Sequence, residues 1–521
     1  MSFRNRQAPF YDAVIIGSGF GGSLAAYALV KAGLRVLMIE RGDWVKRGYH
    51  NWLPESTVDL TPYYSTEIPA HITSGGNQPV MGIYSCVGGP SVFYGGVSLR
   101  FREDDFRANR EITGDSQAFW PISYRDLEPF YSKAEQILQV AGKAGQDPCE
   151  PFRSTDYPQA LPELSMVSQQ LSDSAQKLGL KPFQLPVAIN YSSSGRRGEC
   201  LRCVTCDTYA CAVGAKNDLA TVVIPRLLEE GLELQSNTIV VRLESGRDKV
   251  LSVLCYDKEQ MRRKSFKGKT FILGGGALGT PHLLLASELE RVNPAGEVIG
   301  HYLMRHCSSI VFGIFPYRVS GGKLFQKQIG ITDFYFGDPN GHQGLNKLGS
   351  IQQIQAPPPA ALVKKMLPKP VGQMVCWGLE NLAGLLAMAE DQPRFENAVT
   401  VDRTKVDGWG LPAMLVSYRE SQRDLEATKL LLKKARRILR RAGAWLFYTH
   451  QIKTFSNAVG TVRMGLDPHS SPLDSYCKYR GLENLFVTDG SVFPTSAGVN
   501  PSLTIAANAL RVGEYISKTA R

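Results

Sequence analysis

The sequence predicts an α/β fold, and three observations near its start carry that expectation. An apolar run, Asp12 to Ile16, leads into a glycine turn. The following stretch, Ser23 to Gly33, has apolar residues at helical spacing and closes on a glycine. A second apolar run, Leu34 to Glu40, comes directly after it. Strand, turn, helix and strand in this order make a βαβ unit of about 30 residues.

The rest of the chain extends this beginning. Residues 40–85 are rich in Pro, Tyr, Gly and Thr without a clear period, and read as an excursion. Residues 120–140 open with a turn and become helical, and 150–200 are mixed. Leu232 to Tyr256 and Lys269 to Leu273 read as strands from their β-branched residues. Strand-like pieces such as SSIVFGIF and PAMLVSY occupy the middle, about 305–420. A strongly basic helix is expected over Asp424 to Ala442. The last seventy residues return to a strand, a glycine turn and a helix over Ser502 to Lys518. Pro357-Pro358-Pro359, with Pro368 and Pro370, marks a long surface loop, either a plain connection or a lid.

Composition narrows the function classes. The 521 residues are 43% apolar and 21% charged, which suits a globular chain with more than one core. Lys and Arg exceed Asp and Glu by eleven, yet no basic stripe interleaved with stacking aromatics points to nucleic acid. The N-terminal MSFRNRQAPF lacks the apolar run of a secretory signal. Val371 to Ala389 is mostly apolar but broken by Gln373, Glu380 and Asn381, and a spanning helix needs about 20 consecutive apolar residues. No transmembrane segment is expected, and the chain reads as cytoplasmic or peripheral to a membrane.

The turn after the first strand is Gly17-Ser18-Gly19-Phe20-Gly21-Gly22, a G-x-G-x-x-G in the strand-to-helix setting that gives the motif its meaning. Gly17 allows the tight turn, Gly19 lets backbone approach a pyrophosphate, and Gly22 lets helix and strand pack closely. The helix N-terminus offers free N–H groups and partial positive charge to phosphates. Glu40 ends the second strand, 23 residues after Gly17, where its carboxylate can accept hydrogen bonds from ribose hydroxyls. This is a Rossmann-like dinucleotide site. The motif alone does not separate FAD from NAD, but one copy at the extreme N-terminus of a long chain favours a single, tightly held FAD.

Further motifs follow in order. They are Gly88-Gly89-Pro90-Ser91-Val92-Phe93-Tyr94-Gly95-Gly96-Val97, Trp120 to Tyr124, Gly214-Ala215-Lys216, and Gly276 to Pro281. Near the C-terminus stand Gly460 to Gly465, Val487-Thr488-Asp489-Gly490-Ser491, and Asn500-Pro501-Ser502-Leu503-Thr504. In this order and spacing, from about residue 10 to 518, they resemble the glucose–methanol–choline (GMC) oxidoreductases. The resemblance implies an FAD-binding domain assembled from separated segments, 1–105, 197–305 and 450–521. It also implies an α+β substrate domain with an antiparallel sheet, 106–196 and 306–449. Carried over by position, Gly88 to Gly96 would pass the flavin ring and pyrophosphate, with Gly88, Ser91, Tyr94, Gly95, Gly96 and Val97 as contacts. Tyr94 stands where relatives often carry Asn. Val240 would meet adenine through its backbone, and Asp489 and Gly490 would reach pyrophosphate and ribitol. Asn500, Pro501 and Thr504 would lie beside the pyrimidine end of the ring. Gly17, Ser18, Gly19, Phe20, Gly21, Glu40, Arg41 and Gly275 complete the expected cofactor set.

Such enzymes oxidise an alcohol, a sugar or a sterol-like CH–OH group. A base takes the hydroxyl proton as hydride passes to flavin N5, and such proton transfer contributes about 10² to 10⁴ in rate. In most family members the base is a histidine three positions before the Gly-Thr pair. Here that position is Asn457, and the second family position is Asn500. Neither titrates. Three explanations stand: an engineered, inactivated His-to-Asn variant; another base or solvent; or chemistry without a base, such as a lyase or isomerase, or lost activity. His450, seven residues upstream, reads as a surface histidine at a strand end.

Cys200, Cys203, Cys206 and Cys211 form C-x2-C-x2-C-x4-C, in a place where some family members hold an iron–sulfur cluster. The thiols either gather a metal or stay in a loop beside the flavin domain. The electron acceptor is O₂, a quinone or a protein carrier. The basic helix is expected to pack one face on a core, with a membrane or an acidic carrier as the other reading of its charge.

Overall fold

The computed structural model describes residues 10–53, 64–65, 71–72, 78–79, 83–193, 197–319, 325–337, 345–355, 363–364 and 368–519. In chain order its main elements begin with β1 Phe10–Ile16, α1 Phe20–Lys31, β2 Val36–Ile39, α2 Tyr124–Ile137 and β3 Phe183–Gln184. Next come β4 Glu233–Gln235, β5 Thr238–Ser245, β6 Val250–Asp257, β7 Arg262–Leu273 and α3 Gly276–Ala286. The middle supplies β8 Cys307–Ile314, β9 Ile329–Ile331, β10 Gly349–Gln353, β11 Leu382–Ala389, β12 Ala398–Val406 and β13 Pro412–Ser417. The C-terminal part adds α4 Gln422–Arg441, β14 Leu446–Gln451, β15 Leu485–Val487 and α5 Ser502–Thr519.

Two sheets hold most of these strands, and β12 and β13 pair antiparallel in a further one. The first runs β4–β2–β1–β7–β6–β5, with β15 on the other side of the last turn of β7. Its β4, β2, β1, β7 and β15 neighbours pair in parallel. Their apolar runs AVII, VLMI, FIL and LFV are buried throughout, as parallel strands covered on both faces require. β7 joins two ladders. Arg262 to Phe266 pairs antiparallel with β6, and Lys267 to Leu273 pairs parallel with β1. The burial of β7 follows this split, mostly exposed in its first half and buried in its last four residues. α1 is apolar nearly all round because α5 covers the side the sheet does not.

The second sheet runs β14–β8–β11–β10–β9–β3 and is antiparallel throughout. α4 lies on it, burying Ala427, Leu431, Ala435, Ile438 and Leu439. Ser421 caps the helix in a reciprocal box with Asp424. Lys429, Lys433, Arg436, Arg437, Arg440 and Arg441 are exposed on the other side, while Arg423 is held by Glu111, so the basic helix packs one face on a core as expected. The fold is therefore α/β, with a mainly parallel sheet drawn from three separated stretches and a separate antiparallel sheet.

Val371 to Ala389 divides between a helix over Lys369–Trp377 and β11. Among the described residues no helix is long and apolar enough to cross a membrane. The Pro357–Pro359 loop lies outside the described residues.

Candidate active site

A cavity of about 340 Å³ opens where the carboxyl ends of β1, β2 and β7 meet α1, α3 and α5. This is the crevice in which open α/β sheets bind ligands. Gly17 to Gly21 and Gly275 to Thr280 both line it, side by side where Gly17 meets Gly274.

Glycine builds the first of these stretches by close approach. Gly17 has φ +98°, and a Cβ there would stand 2.5 Å from the Gly274 carbonyl oxygen. A Cβ on Gly22 would stand 1.9 Å from the Gly17 oxygen. Gly19 differs: a Cβ there would meet nothing within 4 Å. Among the described residues no protein atom requires glycine at 19, but a ligand lying against the α1 N-terminus would.

Glu40 fixes the turn from the side. Its Oε2 accepts from the Ser18 N–H at 3.0 Å and the Ser18 hydroxyl at 2.5 Å, and its Oε1 accepts from the Gly42 N–H at 3.0 Å. The Gly88 N–H donates to the same Ser18 hydroxyl at 2.9 Å. Burial raises the Glu40 pKa against the lowering pull of these hydrogen bonds. Arg41 lies over the Trp409 ring at 5.4 Å. Asp489, beside Gly21, serves the second stretch. Its Oδ2 accepts from the Gly276 N–H at 2.9 Å and the Thr280 hydroxyl at 2.5 Å, and its Oδ1 accepts from the Ser491 N–H at 2.8 Å. The Asp489 carboxylate thus holds the first turn of α3, and burial raises its pKa.

The expected cofactor residues fall into two groups. Gly17, Ser18, Gly19, Phe20, Gly21, Glu40, Arg41, Tyr94, Gly95, Val97, Val240, Gly275, Asp489, Gly490, Asn500 and Pro501 line the cavity. Gly88, Ser91, Gly96 and Thr504 stand behind the wall. The Ser91 hydroxyl donates to the Gly88 carbonyl at 2.7 Å and accepts from the Leu219 N–H at 3.1 Å. The Gly96 carbonyl accepts from the Ala188 N–H, and Thr504 Oγ1 is 2.7 Å from the Tyr131 hydroxyl.

Asn457 and Asn500 both reach the cavity. The Asn500 carboxamide oxygen accepts from Gln352 Nε2, on β10, at 3.0 Å. This leaves the Asn500 NH₂ as its donor to a ligand. Asn457 is half-buried and makes no hydrogen bond among the described residues. His450 pairs opposite Ile310 on β14 and does not line the cavity.

Four polar residues here had no motif to announce them. Lys327 lines the cavity and pairs with Asp207 at 2.7 Å. His282 lines it too, its ring N–H donating to the Pro412 carbonyl at 2.7 Å. Burial lowers the His282 pKa. Gln352 is buried behind Asn500.

The structure gives the metal reading of the cysteines no support. Among the described residues, no three His, Cys, Asp or Glu side chains are grouped to hold a metal, and Cys200, Cys203, Cys206 and Cys211 are all free thiols. Their surroundings differ. Cys200 Sγ accepts from the Arg202 N–H, Cys203 Sγ meets Thr205 Oγ1, and Cys206 is half-buried near Tyr94. Lys216 organises this loop instead. Its ammonium donates to the carbonyls of Cys206 and Tyr209 at 2.7 Å each.

Comparison with known proteins agrees with this architecture. Two family models, both described as GMC oxidoreductase, match residues 11–308 and 393–509. A 6'''-hydroxyparomomycin C oxidase from Streptomyces lividus is 28% identical over 528 residues, spanning 97% of this chain and 91% of that one. A 2-methyl-1,2-propanediol dehydrogenase from Mycolicibacterium austroafricanum is 25% identical over 97% of this chain and 95% of its own. The crystal structure of a pyridoxine 4-oxidase from Mesorbium loti superposes with a TM-score of 0.66 at 18% identity, covering 97% and 99% of the two chains.

Proposed function

The chain belongs to the GMC oxidoreductases, and on that premise we propose that it holds one FAD in this cavity and oxidises a CH–OH group of an alcohol, sugar or sterol-like molecule. The observation that carries the reading is Gly19, whose missing Cβ faces open cavity at a helix N-terminus. Pyrophosphate there gains backbone N–H donors and the positive end of the helix. Glu40, buried and held by Ser18 and Gly42, suits ribose hydroxyls. Residues 1–105, 197–305 and 450–521 would hold the cofactor, since the mainly parallel sheet draws its strands from them. Residues 106–196 and 306–449 would shape the substrate space, since nearly all the antiparallel sheet comes from them.

FAD, when bound, supplies the two-electron acceptor. The protein's own part is to orient the alcohol and handle its proton. Asn500, its oxygen held by Gln352, offers an N–H to a substrate oxygen, and Asn457 offers a second carboxamide. The two named relatives above act on hydroxyl-bearing compounds, which fits a polar, carboxamide-lined reaction end. That neither asparagine titrates favours one rival reading, a flavoprotein with lyase or isomerase chemistry.

The test is to identify the flavin in purified protein and follow its anaerobic bleaching with a panel of alcohols, sugars and sterols. Bleaching by one class supports alcohol oxidation and names the substrate class. A full complement of FAD that no alcohol bleaches supports the rival reading.

A further inference from the structure

An alcohol at this site must lose a proton, and the two asparagines have no means to take it. Most ionisable side chains on the cavity wall are committed elsewhere. Glu40 holds Ser18 and Gly42, and Asp489 holds the α3 turn. Arg41 lies over Trp409, and His282 donates to Pro412. Tyr94 donates to the Asn217 carbonyl, and Tyr84 stacks on Phe93.

Lys327 is differently placed. It enters the wall just before β9 and is 7% exposed. Its ammonium has three donors, and the described residues offer an acceptor for one, Asp207 Oδ2 at 2.7 Å. The pair presses against Gly95: a Cβ there would stand 2.8 Å from Lys327 Nζ and 3.0 Å from Asp207 Oδ1. Gly95 belongs to the stretch that would pass the flavin ring. The Asp207 side chain is 26% exposed, so the pair runs from the cavity wall toward solvent. Both ends are braced. The Thr208 N–H donates to the Phe93 carbonyl, the Phe325 N–H to the Arg202 carbonyl, and the Gln326 N–H to Gln355 Oε1. The cysteine-bearing loop thereby has a task that needs no metal, which is to carry Asp207.

We propose that Lys327 holds the substrate hydroxyl oxygen and passes its proton to Asp207, in the role for which Asn457 and Asn500 lack a titrating group. The inference rests on the alcohol-oxidation reading. Lys327 Nζ first gives one ammonium proton to Asp207 Oδ2, and the lone pair this frees then accepts the substrate O–H proton. The O–H and C–H bonds break, the carbonyl π bond forms, and the C–H electron pair leaves with its hydrogen to FAD, the two-electron oxidant. Lys327 ends as it began, a cation, and Asp207 ends neutral and releases its proton to solvent.

The experiment compares the FAD-loaded protein with Lys327→Met, Lys327→Arg and Asp207→Asn. Asp207→Asn is isosteric and can keep a hydrogen bond to Lys327, so it guards against a mere folding failure. With flavin content unchanged, Asp207→Asn is expected to slow the maximal anaerobic bleaching rate about 100-fold or more with KM little altered, the scale of lost acid–base catalysis. Lys327→Arg keeps the charge but cannot release a proton, so it slows equally. The flavin midpoint potential is expected to fall in Lys327→Met and hold in Lys327→Arg, because only the first removes a cation beside the flavin. Bleaching within threefold of the unmodified protein in both Asp207→Asn and Lys327→Met overturns the proposal and leaves alcohol oxidation standing. Failure of every alcohol to bleach the unmodified protein removes that reading and the proposal together.

Discussion

The fingerprint end of the cavity and the rest of its wall are built by different means. At the fingerprint end, backbone does the work. Gly17, Gly19 and Gly22 lie within six residues, and Glu40 fastens their turn from the next strand. Elsewhere on the cavity wall side chains do the work: Lys327, Asn457 and Asn500 line the cavity from segments far apart in sequence, with Asp207 paired to Lys327 and Gln352 to Asn500. At Gly17 and Gly22 the backbone-built site tolerates almost no substitution, because a Cβ collides with main chain that has nowhere to go. A side-chain-built site can exchange one group for another while the fold stands, which is how asparagine can occupy both family positions in an intact framework.

Substitutions can break or sharpen this contrast. The largest effect is expected from Gly22→Val, whose Cβ would meet the Gly17 oxygen at 1.9 Å. Overpacking of this kind costs about 1–3 kcal/mol or more, so purified protein should lose its flavin and melt several degrees lower. Second is Glu40→Ala, which leaves the buried Ser18 N–H and hydroxyl without their acceptor. A loss of about 1–3 kcal/mol is expected, read as an FAD Kd roughly 10- to 100-fold weaker in apoprotein titration. Elsewhere on the wall, Gln352→Leu removes one hydrogen bond from Asn500. It should cost about 1 kcal/mol, raising KM about fivefold with flavin content unchanged. The smallest effect is expected from Cys203→Ser. Bleaching should stay within about twofold, and neither protein should contain iron by elemental analysis. A stable complement of iron lost in Cys203→Ser would contradict the free-thiol loop.

The contrast also sets how much the sequence reveals. The βαβ unit is legible because its apolar runs, its glycines and Glu40 lie within about 30 residues and each has a local reason. α4 is legible from its alternating basic and apolar residues, with Ser421 and Asp424 closing its first turn. Asp489 is legible as a strand-end carboxylate, but its duty is not: it fastens α3, more than two hundred residues earlier in the chain. Thr504 and Ser91 carry motif positions yet spend their hydroxyls behind the wall, on Tyr131 and Gly88. Lys327 has no motif at all. Its meaning depends on Asp207, which a separate loop delivers, and no local pattern encodes that meeting. The cysteine spacing is ambiguous for the complementary reason. Regular spacing suggests one shared ligand, while Cys200, Cys203 and Cys206 face three different surroundings.

The most direct measurement is anaerobic flavin bleaching of the unmodified protein beside Asn457→His, across the same alcohols, sugars and sterols. The expected result is that at least one substrate bleaches the unmodified protein, with Asn457→His changing the rate by less than about tenfold, far below the range of a newly supplied general base. Bleaching by the histidine form alone would contradict it, because the proton would then have no acceptor in the chain as it stands.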